Sequence, residues 1–266
     1  MPQPLPPRLL ARLAAARGLN LLLDYDGTLA DIVSDPSQAM PIPGVARLID
    51  QIAGGDSRAM VTIVTGRPIA EVKRLLPLRS RAHFSGVHGM EFTDRDGEIK
   101  FIEAALACAP ELARVRRWLG KHVPPQRGFW IEDKTVAVGL HYRNADPGQS
   151  SRLCARFADF VARDAPSLKL LPLKMMLEAI PRAGGKDLAV KRIKQHAPRS
   201  FVTVSFGDDT TDESAFAALD QDDLGILVGP ARESFARYRV ASPRAVAREL
   251  RALAAACEER SSVESG

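Results

Sequence analysis

The sequence predicts an α/β fold in which a parallel-sheet core is interrupted by an inserted α+β module. Toward both ends of the chain, short apolar runs alternate with amphipathic helical stretches, which is the rhythm of a parallel sheet. In the middle, the predicted strands come in adjacent pairs, which favours an antiparallel sheet that carries two helices. The core is therefore expected to comprise residues 1–103 and 182–266, and the module residues 104–181.

The first part of the core is expected to form three short strands, and the first of them is expected to be buried on both faces because its sequence is a bounded apolar run. These strands are expected over residues 21–25, 59–64 and 83–86, with helices over residues 5–17, 44–52 and 68–76. Asp96-Gly97 lies between two alternating segments, so a hairpin is expected within residues 92–102.

The same patterns predict the rest of the chain. In the module, helices are expected over residues 103–123 and 148–164, and strands over residues 129–133, 136–143 and twice within 168–180. In the second part of the core, helices over residues 186–195, 212–219 and 243–259 alternate with strands over residues 201–206 and 224–228.

The composition is that of an ordinary soluble globular chain. Of 266 residues, 45% are hydrophobic and 26% are charged, which excludes disorder, collagen and coiled coil. The longest apolar runs, at residues 104–109 and 252–257, are far shorter than the ~18 residues that cross a bilayer, so no membrane segment is expected. Prolines near the start interrupt the apolar helix that a secretory signal needs, and a cytoplasmic location is expected.

Charge and cysteine usage exclude several classes of partner. The net charge is +5, but Lys and Arg are dispersed along the chain and aromatic residues make up only 6%, so nucleic-acid binding is not expected. Cys108, Cys154 and Cys257 are widely spaced and odd in number, which indicates neither a disulfide framework nor a zinc site.

Two carboxylates follow the first predicted strand. Asp24 and Asp26 stand at its carboxyl end, where the two-residue period of a strand is expected to place both on one side while Tyr25 points away. In open parallel sheets, ligands bind at this end of the strands. A pair of this kind taken alone is more often a helix cap or a solvated loop.

Three further polar motifs follow Asp24 and Asp26 along the chain, and together they favour a shared site. Thr65 follows the second strand, Lys186 opens a helix after the module, and the segment GDDTTD at residues 207–212 follows the strand over residues 201–206. Each lies at the carboxyl end of a strand or beside one, so these side chains are expected to converge on one crevice.

Together, the four segments resemble the haloacid dehalogenase superfamily of phosphotransferases. The matching segments are LLLDYDGTL, the Thr of VTGR, the Lys of GGKD, and FGDDTTD. The resemblance covers the whole core and implies a Rossmann-like haloacid dehalogenase core with the module as an inserted α+β cap domain. It also implies a phosphatase or phosphomutase, since receiver domains lack a second Asp two residues later and P-type pumps need membrane helices.

The resemblance assigns roles to the matching residues. Asp24 would be the nucleophile that forms an aspartyl-phosphate, and Asp26 would be the general acid and base. Thr65 and Lys186 would bind the phosphoryl oxygens.

Mg²⁺ is the cofactor that the resemblance implies. Its ligands would be the carboxylates of Asp24 and Asp208 and the backbone carbonyl of Asp26. Asp209 and Asp212 would support the metal or its waters, with their relative contributions left open.

A second resemblance, within that superfamily, is to trehalose-6-phosphate phosphatases. It rests on WIEDK at residues 130–134, GLHYR at 139–143 and LEAIP at 177–181, with VTGRP and GVHGME in the core. It covers nearly the full length after residue 18. Each charged residue in these segments, taken alone, is more typical of a solvated surface, so the prediction depends on the set.

The substrate implied by this resemblance is a small-molecule sugar phosphate, trehalose 6-phosphate. Glu132, Lys134, Arg143 and Glu178 would hold the hydroxyls of the glucose unit farther from phosphorus, because charged side chains bind paired hydroxyls well. The candidate substrate-binding set also includes His141 in the module and Arg67, His88 and Glu91 in the core.

The expected function is therefore Mg²⁺-dependent hydrolysis of trehalose 6-phosphate, with no obligatory protein partner. One alternative is another sugar-phosphate phosphatase, acting on sucrose 6-phosphate or mannosyl-3-phosphoglycerate. Another is a phosphosugar-binding regulator without turnover. The presence of Asp26 argues against the regulator, because a binding module has no need of a general acid and base.

Overall fold

The computed structural model describes residues 1–33, 35–54, 58–124 and 128–264, and the chain divides into two compact units. The first unit contains Met1–Lys100 and Gly185–Gly266, and the second contains Phe101–Gly184. The first boundary thus falls after Lys100 instead of residue 103, and the second falls before Gly185 instead of residue 182.

The strands and helices are numbered along the chain. The strands are β1 (Gln3–Pro4), β2 (Leu19–Leu23), β3 (Ala59–Val64), β4 (His83–Gly86), β5 (Glu91–Thr93), β6 (Ile99–Phe101), β7 (Trp130–Asp133), β8 (Val138–His141), β9 (Leu168–Leu173), β10 (Met176–Pro181), β11 (Val202–Gly207), β12 (Leu224–Val228) and β13 (Tyr238–Val240). The helices are α1 (Leu9–Ala16), α2 (Val45–Gly54), α3 (Ile69–Leu75), α4 (Glu103–Leu106), α5 (Ala109–His122), α6 (Pro147–Asp164), α7 (Lys186–His196), α8 (Thr210–Ala217) and α9 (Pro243–Glu264).

A nine-stranded sheet forms the centre of the first unit. Its strand order is β1-β13-β12-β11-β2-β3-β4-β5-β6, and every neighbouring pair from β1 to β4 runs parallel, whereas β4 and β5 run antiparallel. The prediction of an α/β fold with a parallel sheet is confirmed.

Helices cover both faces of this sheet, which explains the uninterrupted apolar sequence of its central strands. Leu21 and Leu23 of β2 pack in a core cluster with Ile49 of α2. Leu22 points to the other face and packs with Val190 of α7. Because side chains alternate along a strand, a strand buried on both faces must be apolar at every position.

The end of β2 differs from the prediction. The strand ends at Leu23, two residues before the expected boundary, and Asp24 donates its backbone N–H to the Phe206 carbonyl at 3.1 Å. The chain then turns, since Leu29 and Ala30 both donate to the Tyr25 carbonyl. The two-residue strand period therefore does not place Asp24 and Asp26, and the turn does so instead.

The second unit consists of a four-stranded antiparallel sheet and the helices α4, α5 and α6. Its strand order is β7-β8-β10-β9. One face of the sheet packs on the helices, with Leu140 of β8 in a cluster with Leu112 and Phe157. The single helix expected over residues 103–123 is divided into α4 and α5, because Pro110 lies in the first turn of α5 and cannot continue a helix from α4.

Across the described ranges, no helix is both long and apolar enough to cross a membrane.

Candidate active site

Asp24 and Lys186 form a buried ion pair at the carboxyl end of the central strands. Asp24 follows β2, and Lys186 is the first residue of α7. The Lys186 ammonium donates to Oδ1 of Asp24 at 2.6 Å and to Oδ1 of Asp212 at 2.6 Å, and all three side chains are buried. The structure therefore brings together residues that lie more than 150 positions apart in the chain.

Asp24, Asp208 and Asp212 form a compact acidic cluster, in which one carboxylate oxygen from each lies within 4.8 Å of the others. Asp212 is held by its own loop, because its Oδ2 accepts the backbone N–H groups of Asp208 and Asp209, each at 3.1 Å. Gly27 allows Asp208 to approach, since a Cβ at residue 27 would lie 2.1 Å from Oδ2 of Asp208.

The electrostatics of the cluster are dominated by burial and by an excess of negative charge. Burial raises the pKa of Asp24 well above its usual value, although Lys186 acts in the opposite direction. Burial and the neighbouring Asp212 raise the pKa of Asp208 to about 7. Burial opposes the charge on Lys186, but Asp212 and Asp24 together raise the pKa of the ammonium above its usual range. The cluster thus holds one fixed cation among three carboxyl groups.

This donor set fits a divalent cation that prefers oxygen ligands. Three carboxyl groups converge, and the Lys186 ammonium forms ion pairs with two of them, Asp24 and Asp212. Mg²⁺ binds such carboxylates and gains most where negative charge is otherwise uncompensated. Asp24, Asp208 and Asp212 are therefore the residues of the described chain that are suited to hold it.

Asp209 has a different position from Asp212. It is the N-cap of α8, and its carboxylate accepts the backbone N–H of Thr210 at 2.7 Å. Asp209 is exposed, whereas Asp212 is buried within the cluster. Of the two residues left open by the sequence, Asp212 is the one that the structure places beside Asp24 and Asp208.

Asp26 is held by Arg67. Nε and Nη2 of Arg67 each donate to one carboxylate oxygen of Asp26 at 2.7 Å, which is the bidentate geometry of a guanidinium and a carboxylate. Nη1 of Arg67 also contacts Glu71, in the first turn of α3. The side chain of Asp26 remains 42% exposed, whereas that of Arg67 is 10% exposed. Arg67, which the sequence suggested as a substrate contact, is therefore the ionic partner of the predicted general acid.

Thr65 and His88 lie in two loops that are bonded to each other. Thr65 follows β3, is buried, and accepts the backbone N–H of Arg67 on its hydroxyl at 3.1 Å. His88 donates its backbone N–H to the Thr65 carbonyl at 3.1 Å. Val87 and His88 have φ values of 45° and 53°, a left-handed conformation that β-branched residues rarely adopt. Such strained backbone is concentrated at functional sites.

Glu91 is engaged at the start of α3. Its Oε2 accepts the backbone N–H of Ile69, the first residue of that helix, at 2.7 Å, and the side chain is buried. This bond fixes the carboxylate against a helix N-terminus, where negative charge is favoured. Contact between Glu91 and a substrate stays a prediction.

The residues predicted in the module form a second polar cluster on the sheet of the second unit. Lys134 pairs with Glu178 at 2.8 Å and lies 3.7 Å from Glu132, and Glu132 contacts Nε2 of His141 at 2.8 Å. Lys134 and Glu178 are buried, with exposed fractions of 6% and 0%. Burial opposes the charge on Glu132, but His141 and Lys134 lower its pKa below the usual value.

Strand pairing explains how this second cluster forms. Gly139 of β8 lies opposite Glu132 on one side and Glu178 on the other, so the two carboxylates flank a position without a side chain. Arg143 lies in the exposed turn after β8, and it is not among the residues paired in this cluster.

Arg232, which lies in the segment between β12 and β13, was not predicted as a site residue from the sequence. Its Nη2 donates to the carbonyl oxygens of Asp208 at 3.1 Å and Asp209 at 3.3 Å, and its Nη1 contacts Glu213 of α8. No sequence motif indicates this residue, because its contacts with the carbonyl oxygens of Asp208 and Asp209 form only in the folded chain. Gly27 and Gly207 could have been identified from the sequence, because each lies directly beside a motif aspartate. In the structure, each leaves room for the close approach of an aspartate side chain.

Comparison with known proteins shows which family the chain belongs to. The model of the trehalose-phosphatase family matches residues 22–247. A trehalose-phosphate phosphatase of Mycobacterium leprae is 31% identical over 219 residues, which are 79% of this chain and 50% of the relative. The chain thus spans about half the length of the curated relatives that it matches.

Solved structures have the same fold. The C-terminal domain of trehalose-6-phosphate phosphatase from C. albicans matches with a TM-score of 0.80 and 25% identity, covering 96% of this chain and 98% of that one. A haloacid dehalogenase-like hydrolase from Bacteroides thetaiotaomicron matches with a TM-score of 0.62 and 14% identity, covering 88% and 98%, and shows the fold alone. The predicted haloacid dehalogenase fold is thereby confirmed, and the family match over residues 22–247 shows that the chain belongs to the trehalose-phosphatase family.

Proposed function

We propose that this protein hydrolyses trehalose 6-phosphate to trehalose and phosphate through an aspartyl-phosphate on Asp24. The observation that carries the proposal is the buried cluster of Asp24, Lys186 and Asp212, with Asp26 held beside it by Arg67, in a chain that belongs to the trehalose-phosphatase family. This arrangement supports Asp24 as the nucleophile, Asp26 as the separate acid and base, and Lys186 as the cation that binds the phosphoryl group.

In the first step, a carboxylate oxygen of Asp24 attacks phosphorus. The new P–O bond forms as the bond between phosphorus and the sugar oxygen breaks, and Asp26 gives a proton to that departing oxygen. Lys186 lies within hydrogen-bond distance of Asp24, so its charge is placed to neutralise the phosphoryl oxygens. Thr65 is proposed to hold a further phosphoryl oxygen through its hydroxyl.

In the second step, Asp26 takes a proton from water while the water oxygen attacks phosphorus. The bond between phosphorus and Asp24 breaks, which releases phosphate and restores both carboxyl groups. The exposed fraction of Asp26, 42%, is consistent with its exchanging protons with a sugar oxygen and with water in turn.

Mg²⁺ is proposed as the cofactor, held by Asp24 and Asp208, by the backbone carbonyl of Asp26 and, in support, by Asp212. When bound, the cation screens the charge of the phosphate from the attacking carboxylate. Asp209 is proposed to act mainly by capping α8, which positions the loop that carries Asp208.

We further propose that the unit Phe101–Gly184 provides substrate specificity. Glu132, Lys134 and Glu178 form a paired, largely buried group that suits the binding of sugar hydroxyls. Arg143 is proposed to join them from its exposed turn. A cytoplasmic location and the lack of an obligatory protein partner stay predictions.

The experiment that tests the function is phosphate release in the presence of Mg²⁺. Trehalose 6-phosphate is compared with glucose 6-phosphate, sucrose 6-phosphate and mannosyl-3-phosphoglycerate. A large preference for trehalose 6-phosphate supports the proposal. Preference for another substrate retains the chemistry but rejects the specificity, and lack of turnover with all four favours a phosphosugar-binding regulator.

Two variants separate chemistry from specificity. Asp24→Asn removes the nucleophile and is expected to abolish turnover of every substrate. Glu178→Ala leaves the first unit unchanged, so it is expected to reduce the use of trehalose 6-phosphate while sparing a small aryl phosphate. Equal losses on both substrates would reject a role for Glu178 in sugar binding.

A further inference from the structure

An aromatic pair lies on the sheet of the second unit. Trp130 of β7 stacks on His141 of β8, with ring centroids 3.5 Å apart and an angle of 12° between the ring planes. The two residues are direct partners across the antiparallel strands. Although His141 covers part of it, Trp130 remains 47% exposed, which is unusual for so large an apolar side chain.

The aromatic pair lies on the same face of the sheet as the paired charges. Side chains alternate along a strand, so Trp130 and Glu132 point to one side of β7. Leu140, next to His141 in β8, points to the opposite side, where it packs in the core of this unit. The side that carries Trp130 is therefore the side that faces away from α5 and α6.

His141 connects the aromatic ring to the charges. Its Nε2 contacts Glu132 at 2.8 Å while its ring lies flat against Trp130. Glu132 in turn lies 3.7 Å from Lys134, which pairs with Glu178. The orientation of the indole is thus fixed by the same residues that hold the charged groups in place.

Trp118 shows what a structural tryptophan looks like in this unit. It stacks with Phe157 and Phe160 and with His122, within the layer formed by α5 and α6. Trp130 has no comparable apolar surroundings among the ring contacts of the described residues, because its one stacking partner is His141. Core packing therefore explains Trp118 but does not explain Trp130.

A pyranose ring has the chemistry that matches this surface. The hydroxyls at the edge of the ring are bound by carboxylate and ammonium groups. The C–H groups on its face pack against an aromatic ring. The Cα atoms of residues two apart in a strand are about 6.6 Å apart, which is comparable to the width of one sugar ring. Trp130 and Glu132 are two residues apart in β7, so this spacing is expected between their Cα atoms.

We propose that Trp130, supported by His141, is the stacking surface for a glucose ring whose hydroxyls are bound by Glu132, Lys134 and Glu178. The inference rests on the proposed function and extends it by one residue that determines specificity. It makes the indole the apolar half of a sugar site and assigns His141 a positioning role instead of a direct contact with substrate.

The chain contains two tryptophans, so one substitution makes Trp130 a unique optical probe. Trp118→Phe keeps an aromatic ring in the helical layer and leaves Trp130 as the only indole. Trehalose, the expected product, is titrated into this variant, and the tryptophan emission is recorded. We expect a saturable change in emission with trehalose and none with an equal concentration of glycerol.

Kinetics of two further variants complete the test. Trp130→Ala is expected to raise KM for trehalose 6-phosphate by about tenfold with kcat nearly unchanged, and to leave the hydrolysis of p-nitrophenyl phosphate as it is. Tenfold corresponds to about 1.4 kcal/mol of binding free energy. Trp130→Phe retains a stacking ring and is expected to restore most of the loss.

The outcomes separate this inference from the function on which it rests. If the Trp118→Phe protein hydrolyses trehalose 6-phosphate but its emission does not respond to trehalose, the stacking role is wrong and the phosphatase function stands. An unchanged KM in Trp130→Ala rejects it in the same way. If the unsubstituted protein does not hydrolyse trehalose 6-phosphate, the proposed function fails, and the inference fails with it.

Discussion

Arg67 binds both carboxylate oxygens of Asp26, with Nε to Oδ2 and Nη2 to Oδ1 each at 2.7 Å. The guanidinium is almost buried, and its third nitrogen contacts Glu71 of α3, the helix that begins two residues after Arg67. Asp26 therefore has a fixed direction although its own side chain is partly exposed. In the proposed mechanism Asp26 is the general acid, and a general acid contributes only when it is aimed at the atom that receives its proton. We therefore expect Arg67 to control the proposed proton transfer.

Arg67→Lys tests this control. A lysine keeps the positive charge but cannot make the bidentate contact, so Asp26 loses its orientation. We expect kcat for trehalose 6-phosphate to fall about 10–100-fold, because small misplacements of catalytic groups have effects of this size. The effect on p-nitrophenyl phosphate is expected to be smaller, since its leaving group departs without a proton. Steady-state kinetics on both substrates measure the difference.

Arg74→Lys, at an exposed position of α3, the helix that follows Arg67, is the matched control and is expected to leave both rates unchanged. If Arg67→Lys reduces kcat for both substrates by the same factor, Arg67 acts on the fold or on phosphate binding instead of on Asp26.

Lys186→Met tests the buried ion cluster. The substitution leaves Asp24 and Asp212 without the cation that bonds both of them. Removing one partner of a buried charge pair typically costs about 3–5 kcal/mol. We expect a decrease of this order in the free energy of unfolding, measured by urea denaturation in the presence of a chelator, together with loss of turnover.

The control for Lys186 lies one and a half turns further along α7. Lys191→Met removes an exposed lysine and is expected to change the free energy of unfolding by less than about 0.5 kcal/mol. Adding Asp24→Asn to Lys186→Met removes one of the uncompensated carboxylates and is expected to recover part of the lost stability. Equal stability of the Lys186 and Lys191 variants would contradict a stabilising role for the cluster.

The sequence predicted the strands whose apolar runs end abruptly. β3 and β12 have the expected bounds, because their buried runs are followed directly by Thr65 and Gly229. β4 also has the expected bounds and ends at Gly86. β1 and β13 were missed, since they are two and three residues long and carry no apolar pattern of their own. They are strands only because they pair with each other and with β12.

The candidate site was predictable at the level of motifs but not of contacts. Motif order indicated that Asp24, Lys186 and Asp208 belong together, and the structure places all three beside Asp212. The separate positions of Asp209 and Asp212 were not predictable, because both fit the same acidic pattern. The direction of α8 decides between them, by using Asp209 as its N-cap and turning Asp212 inward.

Arg232→Met tests a residue that no motif indicated. Arg232 bonds the carbonyl oxygens of Asp208 and Asp209 and thereby holds the loop that presents the Asp208 carboxylate. Losing a residue that orients a metal ligand typically weakens metal binding 10–100-fold. We expect a weakening of this order for Mg²⁺, measured by calorimetric titration and by the increase in melting temperature that Mg²⁺ produces.

Arg244→Met removes an exposed arginine that pairs with Asp31 and serves as the control for the loss of charge. Its affinity for Mg²⁺ is expected to equal that of the unsubstituted protein. If Arg232→Met binds Mg²⁺ as tightly as Arg244→Met does, the contacts of Arg232 with the loop do not determine metal binding.

His83→Gln tests the pH dependence of stability at a position away from the acidic cluster. His83 lies in β4, and burial together with the nearby His196 lowers the pKa of its imidazole below the usual value of 6.5. Between the folded pKa and 6.5, the unfolded chain binds more protons at this residue than the folded chain does. The free energy of unfolding contributed by His83 is therefore fully present above about pH 6.5 and is lost as the pH falls through the folded pKa.

A glutamine does not titrate, so the His83→Gln protein is expected to lose less stability between pH 7 and pH 5 than the unsubstituted protein, as measured by urea denaturation across that range. His196→Gln removes the repulsion together with the contact of His196 Nδ1 with the Arg192 carbonyl, and its pH profile is expected to lie between the other two. Parallel profiles for all three proteins would show that His83 does not contribute to acid sensitivity.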